Sequence, residues 1–199
     1  MFPLATIREA LRRHQARRLR SETEACGAAA VALVLAGPPK DLRLCFIRRA
    51  EREGDHWSGQ MAFPGGRAEA CDATPRDVAE RETREEVGLD LREAEFLGPL
   101  SEIWIRHSGR VTRDVLSPFV YYAGERPPEF ELSHEVAEAY WVPLEHLWDP
   151  ANWTRIDYER LGRPVKLPGI RYGEGIIWGL TYMMLRALGE ILGAPLPGE

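Results

Sequence analysis

Glu82, Glu85 and Glu86 lie within five positions of one another in the stretch Arg81-Glu-Thr-Arg-Glu-Glu-Val-Gly88. On a helix turning 100° per residue, the three acids share one face. That clustering costs stability, because Glu82 repels Glu85 at i,i+3 and Glu86 at i,i+4 by about 0.2–0.5 kcal/mol each. Hard carboxylate oxygens converging on one spot are what Mg²⁺ or Mn²⁺ asks for, and a cation between them turns repulsion into coordination. The plainer alternative is a solvated surface helix whose acids are neutralised by Arg81 and Arg84. Directly upstream stands Gly59-Gln-Met-Ala-Phe-Pro-Gly-Gly66. Gly65 and Gly66 permit positive φ and close approach of a ligand to the backbone, and a carbonyl freed there is one more oxygen donor.

The helix that must carry the acids is written out in residues. Thr74 suits the N-cap, Pro75 the first helical position and Asp77 the capping box, while Gly88 suits a left-handed end. This predicts a helix over Pro75 to Val87, with Ala79, Thr83 and Val87 as its packing edge. Asp77, Glu80 and Arg84 fall on the expected solvent side, Glu80 and Arg84 as an i,i+4 pair.

Around this helix, Gly27 to Leu35 is an apolar run, ended by a turn over Gly37-Pro-Pro-Lys-Asp41. Leu42, Leu44 and Phe46 then alternate, which predicts two antiparallel strands. A short strand at Met61 to Phe63, stopped by Pro64-Gly-Gly66, and further strands at Phe96–Leu100, Val115–Tyr122 and Ala139–Val142 follow. Leu144 to Leu147 reads as a brief helix and Gly175 to Leu192 as the closing one. Ala5 to Arg20 carries six arginines against one acid, Glu9, with Leu4, Ile7 and Leu11 at helical spacing. It reads as a docked helix with a solvated basic face rather than a membrane-surface or targeting helix.

Composition narrows the class of function. A chain of 199 residues, 44% hydrophobic, can bury a core of its own. Its net charge of −5 speaks against gripping a nucleic-acid backbone. Cys26, Cys45 and Cys71 stand at no metal-ligand spacing and are odd in number, against a disulfide framework. The apolar stretch Ile176 to Leu192 falls short of the ~20 residues a bilayer core requires and is broken by Gly179, Arg186 and Glu190. With no apolar leader after Met1, a cytoplasmic location is expected.

Taken together, Gly66-x5-Asp72-x8-Arg81-Glu82-x2-Glu85-Glu86-x-Gly88-Leu89 resembles the signature of the Nudix hydrolase superfamily. The usual form has Glu where Asp72 stands and one residue fewer before Arg81. Both departures resemble the coenzyme A diphosphatase branch, as does Phe63-Pro-Gly-Gly-Arg-Ala-Glu-Ala-Cys-Asp72, with Glu69 in place of that branch's first Asp. Gly59-Gln60 matches the branch; Trp57 stands at its His position, with His56 beside it. Val115-x-x-Pro-Phe-Val120 and Ile177-Trp-Gly-Leu-Thr181 are similar to it too.

The resemblance implies an α/β fold, an α/β/α sandwich with a mixed sheet between helices. It spans residues 25–199, preceded by a basic helical extension over 1–24. It implies divalent-metal-dependent hydrolysis of a nucleoside-diphosphate derivative, coenzyme A or acyl-CoA first. ADP-ribose, dinucleotides or (d)NTPs are the alternative substrates, and a nucleotide-binding module without turnover is a weaker reading. Glu82, Glu85 and Glu86 would hold Mg²⁺ or Mn²⁺, and Glu82 or Glu85 would serve as general base. Glu135 and Glu138 are the later candidates for that base. Arg81 would orient a glutamate, stabilise the leaving phosphate or simply pair with Glu85. Arg49, Gln60, Gly65 and Gly66 are the expected substrate contacts, with Arg48 and Arg52 nearby. The partners expected are a small nucleotide and, left open, a second copy in a homodimer; neither nucleic acid nor membrane is expected. Trp104, Trp148 and Trp153 read as packing.

Overall fold

A computed structural model describes residues 2–19, 28–51, 58–107, 110–160 and 162–198. Among the described residues, eight strands make one mixed sheet: β1 (Ala28–Ala36), β2 (Arg43–Arg49), β3 (Met61–Ala62), β4 (Gly65–Arg67), β5 (Glu95–Pro99), β6 (Ile103–His107), β7 (Arg110–Tyr122) and β8 (Val136–Pro143). The path runs β3-β2-β1-β7-β5, with β4 on β1, β6 on β7 and β8 on β2. β1 is central, antiparallel to β2 and β4 and parallel to β7.

The apolar run of β1 lacks alternation because both its faces are covered. Val31, Leu33 and Leu35 enter one core with helices α1 (Leu4–Arg13) and α4 (Gly179–Ile191). Ala30, Ala32 and Val34 enter a second core beneath α2 (Pro75–Val87), where small side chains let the helix come close. A short α3 (Leu144–Trp148) follows β8. The α/β class and the helix–sheet–helix layering agree with the expectation.

The basic helix is shorter than expected, ending at Arg13. Its stripe of Leu4, Ile7 and Leu11 is buried in the α4-side core, so it is not offered to a membrane. Arg8 holds Glu95 through two hydrogen bonds of 2.7 and 2.8 Å, and the chain beyond His14 is tied down by Arg17 N–H to Ser101 Oγ (3.1 Å).

A second, three-stranded sheet departs from the sequence expectation: β9 (Trp153–Arg160), β10 (Arg163–Tyr172) and β11 (Gly175–Trp178). Ile156 and Tyr158 do alternate with Arg155, Asp157 and Glu159, but Pro164, Pro168 and Gly169 hide the partner strand from a pattern reading. The first four residues assigned to the closing helix form β11 instead. The helix starts only at Gly179, whose φ of +61° makes the corner. Pro64-Gly-Gly66 also departs from expectation. The chain does not stop there but continues into β4, pairing Val31 with Gly65 and Ala30 with Gly66. No helix among the described residues is long and apolar enough to cross a membrane.

Because Ile7 is fully buried, Ile7→Ala is expected to lower stability by about 3 kcal/mol, read from urea unfolding midpoints. An unchanged midpoint would mean that α1 is not part of the folded unit.

Candidate active site

The start of α2 is pinned by a reciprocal cap. Thr74 Oγ1 accepts from the Asp77 N–H (3.2 Å), and the Asp77 carboxylate accepts from the Thr74 N–H (2.8 Å). Gly88 closes the helix at φ 77°. Val78, Ala79, Thr83 and Val87 are buried beneath it, which fixes the rotation of the helix and hence the direction of every acid on it.

One side of α2 differs from the reading by periodicity. Glu80 does not face solvent with Arg84. It accepts from Arg76 Nε (2.7 Å) and from the Tyr121 hydroxyl (3.0 Å). The phenol of Tyr121 lies in the sheet and needs a partner there, while the Arg76 guanidinium sits 4.2 Å over the Phe96 ring.

The three expected metal ligands separate into two kinds. Glu86, with its side chain 4% exposed, accepts the Gly65 N–H at 2.8 Å, and Arg49 Nη1 stands 3.9 Å from its other oxygen. Glu82 lies against Gly66 so closely that a Cβ there would be 2.4 Å from its Oε1. At Gly65, φ is +151° and a Cβ would fall 2.2 Å from the Ala30 carbonyl oxygen. Gly65 is therefore restricted to glycine by its backbone, whereas a side chain at Gly66 would displace the Glu82 carboxylate. Glu85 is half exposed and its carboxylate is drawn away to Arg81 Nη1 at 3.0 Å.

Arg81 is the hub of the arrangement. It reaches Asp72 (Nε to Oδ1 3.1 Å, Nη2 to Oδ2 3.0 Å), Glu82 Oε1 (3.0 Å), Glu85 Oε2 (3.0 Å) and the Arg67 carbonyl (3.0 Å). Arg81 thus touches both Glu82 and Glu85 while Asp72 and the Arg67 carbonyl hold it from the other side. Burial opposes ionisation of Asp72, but Arg81 and the Glu69 N–H outweigh it and hold the carboxyl below the usual carboxylate range.

Glu82 and Glu86 are shifted the other way. Burial raises both, and in Glu86 the repulsion from Glu82 and Glu135 adds, against the Gly65 N–H and Arg49, to push it up to about 8. Glu135 also raises Glu82. The loop bearing Glu135 is laid against the end of α2 by Ser133 N–H to the Glu86 carbonyl (3.1 Å) and Glu131 N–H to the Val87 carbonyl (3.0 Å). The Ala50 N–H then takes the Glu135 carbonyl at 2.8 Å. Spacing along the chain carries no signal for this, because the approach depends on β8 pairing with β2. Glu138 is turned aside, bound to Arg48 and the Tyr140 hydroxyl. Gln60 reaches the site through its backbone, its carbonyl accepting the Arg49 N–H at 3.1 Å.

The donor set suits a hard divalent cation. Glu82 and Glu86 repel each other where burial already disfavours charge, and a cation there would relieve both penalties. Among the described residues no three His, Cys, Asp or Glu side chains are grouped so as to hold a metal ion, and Arg81 Nη1 stands 3.0 Å from both Glu82 and Glu85. Trp148 and Trp153 donate to the Ala194 and Leu147 carbonyls, as packing residues do, and Trp104 is 38% exposed. Arg52, His56 and Trp57 lie outside the described residues.

A loop–helix unit of this design matches the NUDIX domain model over residues 27–161. The chain belongs to the Nudix family. Nudix hydrolase NudL of Photorhabdus laumondii is 32% identical over 165 residues, 81% of this chain and 83% of that one. Protein C14C4.10c of Schizosaccharomyces pombe is 40% identical over 117 residues, and there the match spans 36% of the relative's length. Among solved structures, a MutT/nudix family protein from Enterococcus faecalis superposes with a TM-score of 0.56 at 16% identity, covering 94% of this chain and 68% of that one. A C. elegans Ap4A hydrolase complex gives 0.50 at 16% identity, covering 69% and 90%. At such identities these structures speak for the fold alone. Within this Nudix site, Asp72 reaches Arg81 with a side chain one methylene shorter than the glutamate of the usual signature.

Asp72→Asn is expected to cost about 1.5 kcal/mol at pH 7, since Arg81 loses one charge-assisted partner but keeps Glu82 and Glu85. The native pKa of Asp72 lies below its unfolded value, so its contribution is complete above about pH 4 and shrinks as pH falls through the native pKa. The gap between wild type and variant in urea unfolding should therefore narrow at pH 3.

Proposed function

We propose that this protein, a Nudix pyrophosphohydrolase, cuts the diphosphate of coenzyme A or an acyl-CoA with the help of Mg²⁺ or Mn²⁺. The observation that carries the chemistry is the pair of carboxylates, buried Glu86 and part-buried Glu82, held at Gly65 and Gly66 between Arg81 and Arg49. The choice of substrate is supported by Phe63 to Asp72 and by Gly59-Gln60, which resemble the coenzyme A branch. The products would be adenosine 3′,5′-bisphosphate and a phosphopantetheine, with the oxygen of water added at one phosphorus.

Glu82 and Glu86 would hold the cation, with Glu85 available once it leaves Arg81. A bound divalent ion supplies charge neutralisation at the phosphoryl oxygens and acidifies a water molecule. Arg81, through Asp72 and the Arg67 carbonyl, keeps Glu82 in place; it is a positioning residue. Arg49 stands beside Glu86, where a guanidinium fork can meet a diphosphate oxygen. Gly65 and Gly66 would place their backbone beside the substrate, and the Gln60 carbonyl fixes the backbone of Arg49. For the proton of the attacking water, Glu135 remains a candidate beside Glu82 and Glu85, because its charge is felt at both Glu82 and Glu86.

Glu86→Gln should lower Mg²⁺-dependent turnover roughly a hundredfold or more while the circular dichroism spectrum stays native. Gly66→Ala should do nearly as much by pressing on the Glu82 carboxylate, and full activity in both would remove this site from the reaction. A panel of coenzyme A, ADP-ribose, NADH, diadenosine polyphosphates and (d)NTPs decides the substrate. Release of adenosine 3′,5′-bisphosphate at the highest kcat/KM is expected, and a preference for substrates lacking the 3′-phosphate would overturn the coenzyme A assignment.

A further inference from the structure

β9 is an edge strand. It pairs with β10 along one side from Trp153 to Arg160 without a register shift, and among the described residues no strand pairs with its other side. It contains no proline and no bulge, two of the devices that keep an edge from pairing, while its charges at Arg155, Asp157 and Glu159 restrict which partner and register it accepts. Its side chains also divide cleanly between the two faces of its sheet. Arg155, Asp157 and Glu159 are exposed on one face. Ile156 and Tyr158 lie on the other, with Val165, Leu167, Ile176 and Trp178, and none of these six belongs to either core. There Ile156 and Ile176 close over Gly169, and the Tyr158 and Trp178 rings are 5.6 Å apart.

We propose that the free edge of β9 is the contact between two copies of this chain, paired antiparallel about a two-fold axis at Ile156. A two-fold axis perpendicular to the sheet keeps each face on its own side, so residues facing each other across the axis must have the same parity. Centring on Arg155 sets that arginine against itself, and centring on Asp157 sets two aspartates face to face. Centring on Ile156 places Arg155 opposite Asp157 of the second copy, and Asp157 opposite its Arg155. In its own sheet Arg155 faces Pro168, which carries no charge, while Asp157 already holds Lys166 at 2.7 Å. The contact thus extends a ladder of alternating charge: Lys166, Asp157, then Arg155 of the second copy. On the apolar face Ile156 meets its own copy, and Tyr158, 37% exposed, meets Thr154. The product is a six-stranded sheet running through both molecules.

The test is self-contained, because it reads mass rather than catalysis. In sedimentation velocity at micromolar concentration the wild type should run as a dimer. Arg155→Asp places aspartates opposite each other twice, and Asp157→Arg places arginines opposite each other twice. Each variant should weaken self-association at least about tenfold while its far-UV spectrum and melting curve remain those of a folded protein. An equimolar mixture of the two variants restores an Asp–Arg pair on both sides of the axis and should run as a dimer again. A wild type that is monomeric throughout, single variants that dimerise as before, or a mixture that stays monomeric would each overturn the proposal.

Discussion

The burial of Glu86 sets the terms for everything around it. A carboxylate this enclosed is tolerated because the Gly65 N–H donates to it and Arg49 stands near. That N–H points at Glu86 only because β4 pairs with β1 through a residue at φ +151°, which excludes any side chain at Gly65. The helix side of the contact depends on the Thr74–Asp77 cap and on Val78, Ala79, Thr83 and Val87, which together fix the rotation of α2. Strand, glycine and helix thus constrain one oxygen from three directions. The remaining tension, with Glu82 and Glu135 pressing on a charge that burial already disfavours, is the electrostatic state a divalent cation resolves.

Arg81 explains why three acids on one helical face do not act alike. Periodicity treats Glu82, Glu85 and Glu86 as equals, whereas the guanidinium ranks them. Glu82 is held between Arg81 and Gly66, Glu85 is drawn outward, and Glu86 lies beyond its reach. Asp72 and the Arg67 carbonyl keep Arg81 itself from swinging away. The extra residue before Arg81 and the shorter acid at position 72 are therefore compatible with one another: the Asp72–Arg81 contact closes at hydrogen-bonding distance with both present.

Outside the site, the two ends of the chain are drawn into one core. α1 and α4 cover the face of the main sheet opposite α2, so the segment before residue 25 contributes buried Leu4, Ile7 and Leu11 to the same hydrophobic body as β1. The second sheet lies on that side as well, sending Ile170 and Ile177 into the core and turning its other apolar face outward.

Local chemistry determined much of this in advance. The cap, the left-handed Gly88, the extent of α2, the antiparallel β1–β2 pair and the acidic face are all readable because each depends on residues within a few positions of one another. The Nudix signature is readable for the same reason, since its loop and helix are consecutive. Tertiary structure decided the rest. Glu80 changed sides because Tyr121, forty-one residues on, needed an acceptor. Glu135 joined the acids because β8 lies against β2, and Gly65-Gly66 became a strand because β1 offered it an edge. In the β9–β10 ribbon, Pro164 and Pro168 mask the pattern of β10, which only pairing reveals. Short-range hydrogen bonds and steric limits act through neighbouring residues and leave a mark in the sequence. Charge, burial and strand pairing act through space, between residues whose separation along the chain carries no record of it.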